Sequence, residues 1–250
     1  MSTRVRASVC ALILVSAASA SAQHAAAHWT YSGEDGPSHW GSLSSDFAAC
    51  STGREQSPID ITTATPASLP GIQFDYTPSP LRVIDNGHTI MVTPAVGSSI
   101  TVGGTKYRLV QFHFHRPSEE EIKGKRHAMV VHLVHADSAG RLAVVAVLLD
   151  VGAENATVQS IWSHLPAMKD MEMTADSVMV DPAGLLPVSR GYYTFAGSLT
   201  TPPCSEHVTW FVLKAPVTIS AAQEAAFAKL YPMNARPVQP VHGRTIKETP

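Results

Sequence analysis

Cysteine is scarce, charge is low and nearly balanced, and no apolar run is long enough to span a bilayer. The 250 residues include three cysteines, with 18 lysines and arginines against 20 acidic residues, a formal net charge of −2. A charge this small and this evenly signed favours neither nucleic acid nor an anionic membrane surface as a partner. The most apolar stretch, residues 9–18, is too short to cross a membrane and stay there. It follows Arg4 and Arg6 and runs into Ala18-Ser-Ala-Ser-Ala22, whose small residues offer Ala-Xaa-Ala cleavage sites. Residues 1–22 therefore read as a signal peptide, removed just before Gln23. Cys10 sits at the start of the apolar run, not at its end, which argues against a lipid anchor. The expected product is an exported chain, periplasmic or extracellular, with 16 basic and 20 acidic residues and a net charge of −4.

The remaining 228 residues fit one large domain, since all-β and mixed folds reach this size without splitting. No internal repeat, charge block or low-complexity linker divides residues 23–250. Export leaves two cysteines, Cys50 and Cys204, and an oxidising compartment makes one disulfide the expectation. Residues 29–80 are rich in Gly, Pro, Ser and Asp and read as loops and short turns. Short strands follow over 81–85, 88–93 and 99–102, with turn signals at Asn86-Gly87 and Gly103-Gly104. Residues 141–150 form a nearly continuous apolar run, as in a central strand buried on both faces. Helices are few. Val158, Ile161, Trp162 and Leu165 fall at helical spacing, and Ser220-Ala-Ala-Gln223 is a capping box opening a helix that carries Phe227 and Leu230.

The alternation in Tyr107-Arg-Leu-Val-Gln-Phe-His-Phe-His115 is that of a β-strand, whose successive side chains point to opposite faces. Gln111, His113 and His115 then share one face, and Phe112 and Phe114 take the other. Two imidazoles side by side on a rigid strand make two-thirds of a zinc site. The third candidate is His132, in Met129-Val-Val-His-Leu-Val-His135. The stretch between, residues 116–126, is polar and broken by Pro117 and Gly124, so the two segments are expected to pair antiparallel and bring His132 opposite the first two. A lone histidine in an apolar strand is ordinarily a buried, hydrogen-bonded side chain. His135 reads as one of these, because it faces away from His132. Three histidines converging from adjoining strands point instead to a metal.

Several motifs occur in an order found in one family: Gln56-Ser-Pro-Ile-Asp-Ile61, Asp85-Asn-Gly-His88, Gln111-Phe-His-Phe-His115, Ser118-Glu119, Val131-His-Leu-Val-His135, Gly197-Ser-Leu-Thr-Thr-Pro-Pro203, Val208-Thr-Trp210 and Asn234-Ala-Arg-Pro-Val-Gln-Pro240. From His28 to about Ile246 the chain resembles the α-class carbonic anhydrases. The resemblance implies a mainly β (α+β) fold, a large, twisted, mostly antiparallel central sheet of about ten strands with short peripheral helices. It implies Zn2+ held by His113, His115 and His132 at the base of a conical cleft, and reversible hydration of carbon dioxide to bicarbonate and a proton. Three neutral imidazoles leave zinc its full charge, so a bound water ionises near neutrality, the property for which this family is the type case. The resulting hydroxide attacks carbon dioxide.

The same resemblance assigns further residues. Thr200 matches a threonine that accepts a hydrogen bond from the hydroxide and donates its own proton to a buried glutamate, matched by Glu119. Val134, Val144, Leu199, Val208 and Trp210 match the apolar wall that holds carbon dioxide, with Thr200 and Thr201 among the substrate contacts. Gln111 stands behind the ligands. His88 matches a proton shuttle, a histidine that titrates near the working pH. Cys50 and Cys204 match the disulfide of extracellular members, and Pro58 and Pro203 match positions preceded by cis peptide bonds. Sulfonamides and small anions are implied as inhibitors, and the oligomeric state is left as monomer or homodimer.

Four positions depart from the family's pattern. The glutamate two residues before the third ligand is here Val130, the histidine after the buried glutamate is Glu120, and a tyrosine that bonds that histidine is Phe195. The expectation is that Glu120 takes over as acceptor for the distal nitrogen of His132. Met91 replaces an amide that orders water in the cleft. Two non-catalytic readings remain: a related binding protein, which would lack one of the three histidines, and a zinc buffer, in which His88 and the apolar wall would serve no purpose.

Overall fold

The structure, a computed structural model, describes residues 27–250; the expected signal peptide, residues 1–22, lies outside the described residues. The elements that position the site are β1 (Ser79–Asp85), β2 (Ile90–Val92), β3 (Thr105–His115), β4 (Met129–Ala136), β5 (Leu142–Val151), α1 (Ala156–Trp162), β6 (Glu172–Val180), β7 (Tyr192–Ser198), β8 (Glu206–Leu213) and α2 (Ala221–Leu230). Ten strands lie in line in the order β6-β1-β2-β3-β4-β5-β8-β7, then Lys247–Glu248 and Thr65–Pro66; off this path Val217–Ile219 pairs with β5, and Ser99–Val102 pairs with β3 and with Gln73–Asp75. Pairing is antiparallel except for β5 with β8, β5 with Val217–Ile219, and Lys247–Glu248 with Thr65–Pro66. A separate two-residue parallel pair joins Asp60–Ile61 to Glu121–Ile122. The expected sheet of about ten strands is therefore present. Residues 29–80 contain more than turns: short helices at Trp40–Leu43 and Ala49–Thr52 pack beside the disulfide.

Strand alternation divides the interior in two. Phe112, Phe114, Val131, Leu133, Val145 and Val147 face one side, where α1 and α2 cover them with Val158, Ile161 and Phe227. Val130, Val134, Val144, Ala146, Phe195 and Trp210 form a second apolar cluster on the other side. β5 is buried on both faces through its middle, as its unbroken apolar run requires. Asn155 caps α1 by accepting from the Val158 N–H at 3.0 Å, and Ser220 with Gln223 forms the expected capping box on α2. α1 stops at Trp162, so Leu165, placed on it by periodicity, packs against the core from beyond its end.

Two details re-aim the strands. The β3/β4 register shifts between Leu109 and Gln111, a bulge at Val110. Leu109 and Tyr107 thus pack with the helix-side core while Gln111 joins the face of His113 and His115, two positions that would otherwise share a side. His88, expected inside a strand over 88–93, sits instead in the preceding turn, because Asn86 Oδ1 accepts from the N–H groups of both His88 (3.0 Å) and Thr89 (2.9 Å) with Gly87 at φ +80°.

Cys50 and Cys204 are joined by a disulfide that closes a separation of 154 residues. On the helix side His135 is fully buried, its Nε2 hydrogen-bonded to the Tyr76 hydroxyl at 2.8 Å, the ordinary core histidine expected from its face.

Two predictions follow from these burials. Replacing both cysteines by serine should cost about 2 to 5 kcal/mol, the upper figure being the chain-entropy value for so long a loop, read by urea denaturation with and without reductant; equal stabilities would contradict it. Burial lowers the His135 pKa from 6.5 to about 4. Above 6.5 both folded and unfolded states are neutral there, so its contribution is complete; between 6.5 and about 4 the unfolded chain takes up a proton that the folded one refuses, and stability falls on acidification. His135→Gln should flatten that slope, which carries up to roughly 3 kcal/mol, in denaturation curves taken across this pH range.

Candidate metal centre

The antiparallel register places His113 directly opposite His132. His113, His115 and His132 each offer a ligand atom, all within 4.8 Å of one another, and they are the one such group able to hold a metal among the described residues. Each ring is held from behind. His113 Nδ1 bonds Gln111 Oε1 at 2.8 Å, His115 Nδ1 bonds the Asn234 carbonyl at 2.7 Å, and His132 Nε2 bonds Glu120 Oε1 at 3.0 Å. A carbonyl and a carboxylate can only accept, so these ring nitrogens carry the protons, and the lone pairs of His113 Nε2, His115 Nε2 and His132 Nδ1 are left facing one another. His115 Nε2 is buried with no hydrogen-bond partner, the condition of a donor atom awaiting a cation.

The electrostatics favour neutral ligands. Burial lowers the pKa of His113 to about 3 and that of His115 well below the usual range, with the neighbouring histidines adding to the effect. At His132 burial acts the same way but is outweighed by the Glu120 and Glu119 carboxylates, which raise its pKa. Glu119 is fully buried. Its Oε1 accepts the Arg236 backbone N–H at 2.7 Å and its Oε2 lies 3.5 Å from His115 Nε2. Burial pushes the Glu119 carboxyl up to about 7, with Glu120 adding to it, while His132, the Thr200 hydroxyl and the Arg236 amide draw it down.

Thr200 and Thr201 sit on the loop after β7, which is pinned at both ends. The Cys204 N–H donates to the Thr201 carbonyl at 2.8 Å, so the disulfide reaches directly into this loop. The Ser57 N–H donates to Ser198 Oγ at 2.9 Å, and Trp210 Nε1–H donates to the Ser198 carbonyl at 3.0 Å. The peptide bonds before Pro58 and Pro203 are cis, as the resemblance implied, and so is the one before Pro117.

Two adjoining hollows make the cleft. The inner one is lined by Gln111, His113, His132, Val134, Val144, Leu199, Thr200, Thr201 and Trp210. Val208 is buried in the same apolar cluster but is not among the lining residues. The outer one carries Trp29, Tyr31, His88, Met91 and His115. His88 stacks on Trp29, rings parallel within 8° and 3.7 Å apart, and burial and nearby His28 lower its pKa. Met91 pairs with His113 across β2 and β3 and opens onto the outer hollow.

Three supports have no signal in periodicity or charge. Asn234 accepts the Arg116 N–H through Oδ1 and donates through Nδ2 to the carbonyls of His88 and Phe114, tying the shuttle candidate to the ligand strand. The buried Arg236 guanidinium donates to Gln56 Oε1, Ser57 O and Cys50 O and lies over Trp40, so its backbone is fixed where Glu119 needs a donor. Trp29 stands outside any regular element. Asn234 and Arg236 lie in the Asn234-to-Pro240 motif, the only trace of them that sequence offers.

Comparison with known proteins agrees with this geometry. The profile of the eukaryotic-type carbonic anhydrase family matches residues 35–250. A carbonic anhydrase of Neisseria gonorrhoeae is 45% identical over 243 residues, covering 95% of this chain and 94% of that one, and one of Klebsiella pneumoniae is 44% identical over 227 residues, covering 89% and 92%. The α-carbonic anhydrase of Thermovibrio ammonificans, solved with the inhibitor sulfanilamide, superposes with a TM-score of 0.86 at 41% identity, covering 89% of this chain and all of that one. With its β3 and β4 histidines, its sheet and nearly its whole described length accounted for, the chain belongs to the eukaryotic-type carbonic anhydrase family.

Proposed function

We propose that this protein is an exported, zinc-dependent carbonic anhydrase that interconverts carbon dioxide and bicarbonate, with His113, His115 and His132 as the metal ligands. The observation that carries the reading is the convergence of three ring nitrogens, those of buried His115 and His132 and of partly buried His113, whose opposite nitrogens are all engaged. Bound there by three neutral imidazoles, zinc would supply Lewis-acid chemistry that acidifies water.

The chain's own residues do the rest. Once ionised, as a cation bound beside it would favour, Glu119 only accepts, so the Thr200 hydroxyl donates to it and turns a lone pair toward the site, which selects a protonated nucleophile in one orientation. Val134, Val144, Leu199 and Trp210 give carbon dioxide an apolar surface, backed by buried Val208, and keep bulk water from one side of it. Thr201 stands where the inner and outer hollows meet. His88 receives the released proton on the outer hollow and passes it to buffer. Its lowered pKa leaves it neutral and able to accept at neutral pH. The disulfide fits an oxidising compartment, which supports export. No helix among the described residues is long and apolar enough to cross a membrane.

Stopped-flow carbon dioxide hydration by the zinc-quantified mature protein tests this. The expected result is rapid hydration with one zinc per chain, blocked by sulfanilamide and abolished with zinc loss in His132→Ala. His88→Ala should keep its zinc and lose roughly tenfold or more in dilute buffer, with recovery in imidazole. A zinc-loaded wild type without hydration would overturn the assignment, and a His88→Ala variant as fast as wild type in dilute buffer would remove His88 from the proton path.

A further inference from the structure

The three ring nitrogens that face the centre depend on three acceptors behind them, and these come from unlike places. For His113 the acceptor is Gln111, two residues back on the same strand face, placed by β3 itself. The equivalent neighbours of His132 on β4 are Val130 and Val134, both in the apolar cluster, and neither side chain can accept a hydrogen bond. Glu120, from the segment joining β3 to β4, fills this gap. Its carboxylate is fully buried and lies 3.0 and 3.3 Å from His132 Nε2 through its two oxygens.

That segment has its own fastening. Ser118, fully buried, donates from Oγ to the Glu120 carbonyl at 2.8 Å and accepts the His127 N–H at 2.9 Å. The Ser118 N–H donates to the His127 carbonyl at 3.1 Å, closing the segment on itself. Immediately after Glu120, the Glu121 N–H donates to the Ile59 carbonyl, and Glu121–Ile122 pairs in parallel with Asp60–Ile61. Glu120 is thus locked between a serine clasp and a small two-stranded sheet.

We propose that Glu120 is the positioning residue for His132, and that metal retention is therefore coupled to how the β3–β4 connection is clasped by Ser118. The inference rests on the ligand assignment above and adds that the orientation of one ligand is set by a loop and not by its strand. Loosening the clasp then lets the His132 ring turn, and the metal leaves faster without any ligand being removed.

The test is the rate of zinc release from the zinc-loaded protein into excess chromophoric chelator, with the melting temperature of each apo variant as a control for folding. Glu120→Ala should release zinc roughly 10- to 100-fold faster than wild type. Glu120→Gln keeps an acceptor oxygen and should fall between the two, and Ser118→Ala should speed release by a smaller factor. Restoring an acceptor on the strand, as Glu120→Ala with Val130→Gln, should recover much of the loss, following the precedent of Gln111 and His113. The downfield Nε2–H proton resonance of His132 should vanish in Glu120→Ala and persist in Ser118→Ala. Release at the wild-type rate in folded Glu120→Ala, or in Glu120→Gln and Ser118→Ala should the alanine variant not fold, overturns the proposal. A wild type that holds zinc but hydrates no carbon dioxide would instead overturn the function while leaving this coupling standing.

Discussion

A histidine can turn one ring nitrogen toward a metal only if something holds the other, and here that requirement organises the structure around it. Three acceptors stand behind three rings: an amide on the ligand strand, a backbone carbonyl near the C-terminal end, and a carboxylate in a loop. Each is costly to misplace, because a buried imidazole left unpaired bears the desolvation penalty of its N–H with no hydrogen bond to offset it. The features around them read as consequences. The bulge at Val110 brings Gln111 onto the ligand face, the contacts of Asn234 fix its carbonyl, and the serine clasp fixes Glu120.

The sheet makes this possible by keeping the two sides chemically distinct. On the helix side the alternate residues of β3, β4 and β5 are aromatic and branched, close-packed under α1 and α2. On the other side the same strands present histidine, valine and glutamine, and the apolar residues stop short of closing over the ligands. The result is a rigid floor with polar groups at its deepest point and an apolar wall beside them. The loop of Thr200 and Thr201 forms the rim opposite, and the disulfide holds it by tying Cys204 to a helix that the buried Arg236 also grips.

Much of this is legible in the residues because strand periodicity is a local property. Gln111, His113 and His115 announce a shared face, His132 and His135 separate onto opposite faces, and the apolar run of β5 announces burial on both sides. The serine and glutamine of the capping box are equally local. What periodicity misses is long-range or rests on a phase change. The bulge shifts the alternation within one continuous strand, so Leu109 and Gln111 look equivalent in sequence. His88 looks like the first residue of a strand until the Asn86 side chain claims its N–H. Asn234 and Arg236 act across more than 100 residues of chain, through a backbone carbonyl and a backbone amide, groups every residue has. Glu120 was legible only by comparison, as a carboxylate gained beside one lost.

The central claim concerns which atom of each ring faces the metal. Anomalous diffraction at the zinc edge from crystals of the zinc-loaded protein measures it directly. The account predicts a single ion bonded by Nε2 of His113, Nε2 of His115 and Nδ1 of His132, with Glu120 still hydrogen-bonded to the far side of the His132 ring. An ion bound through His132 Nε2, or by the Glu119 or Glu120 carboxylate in place of a ring, would contradict it.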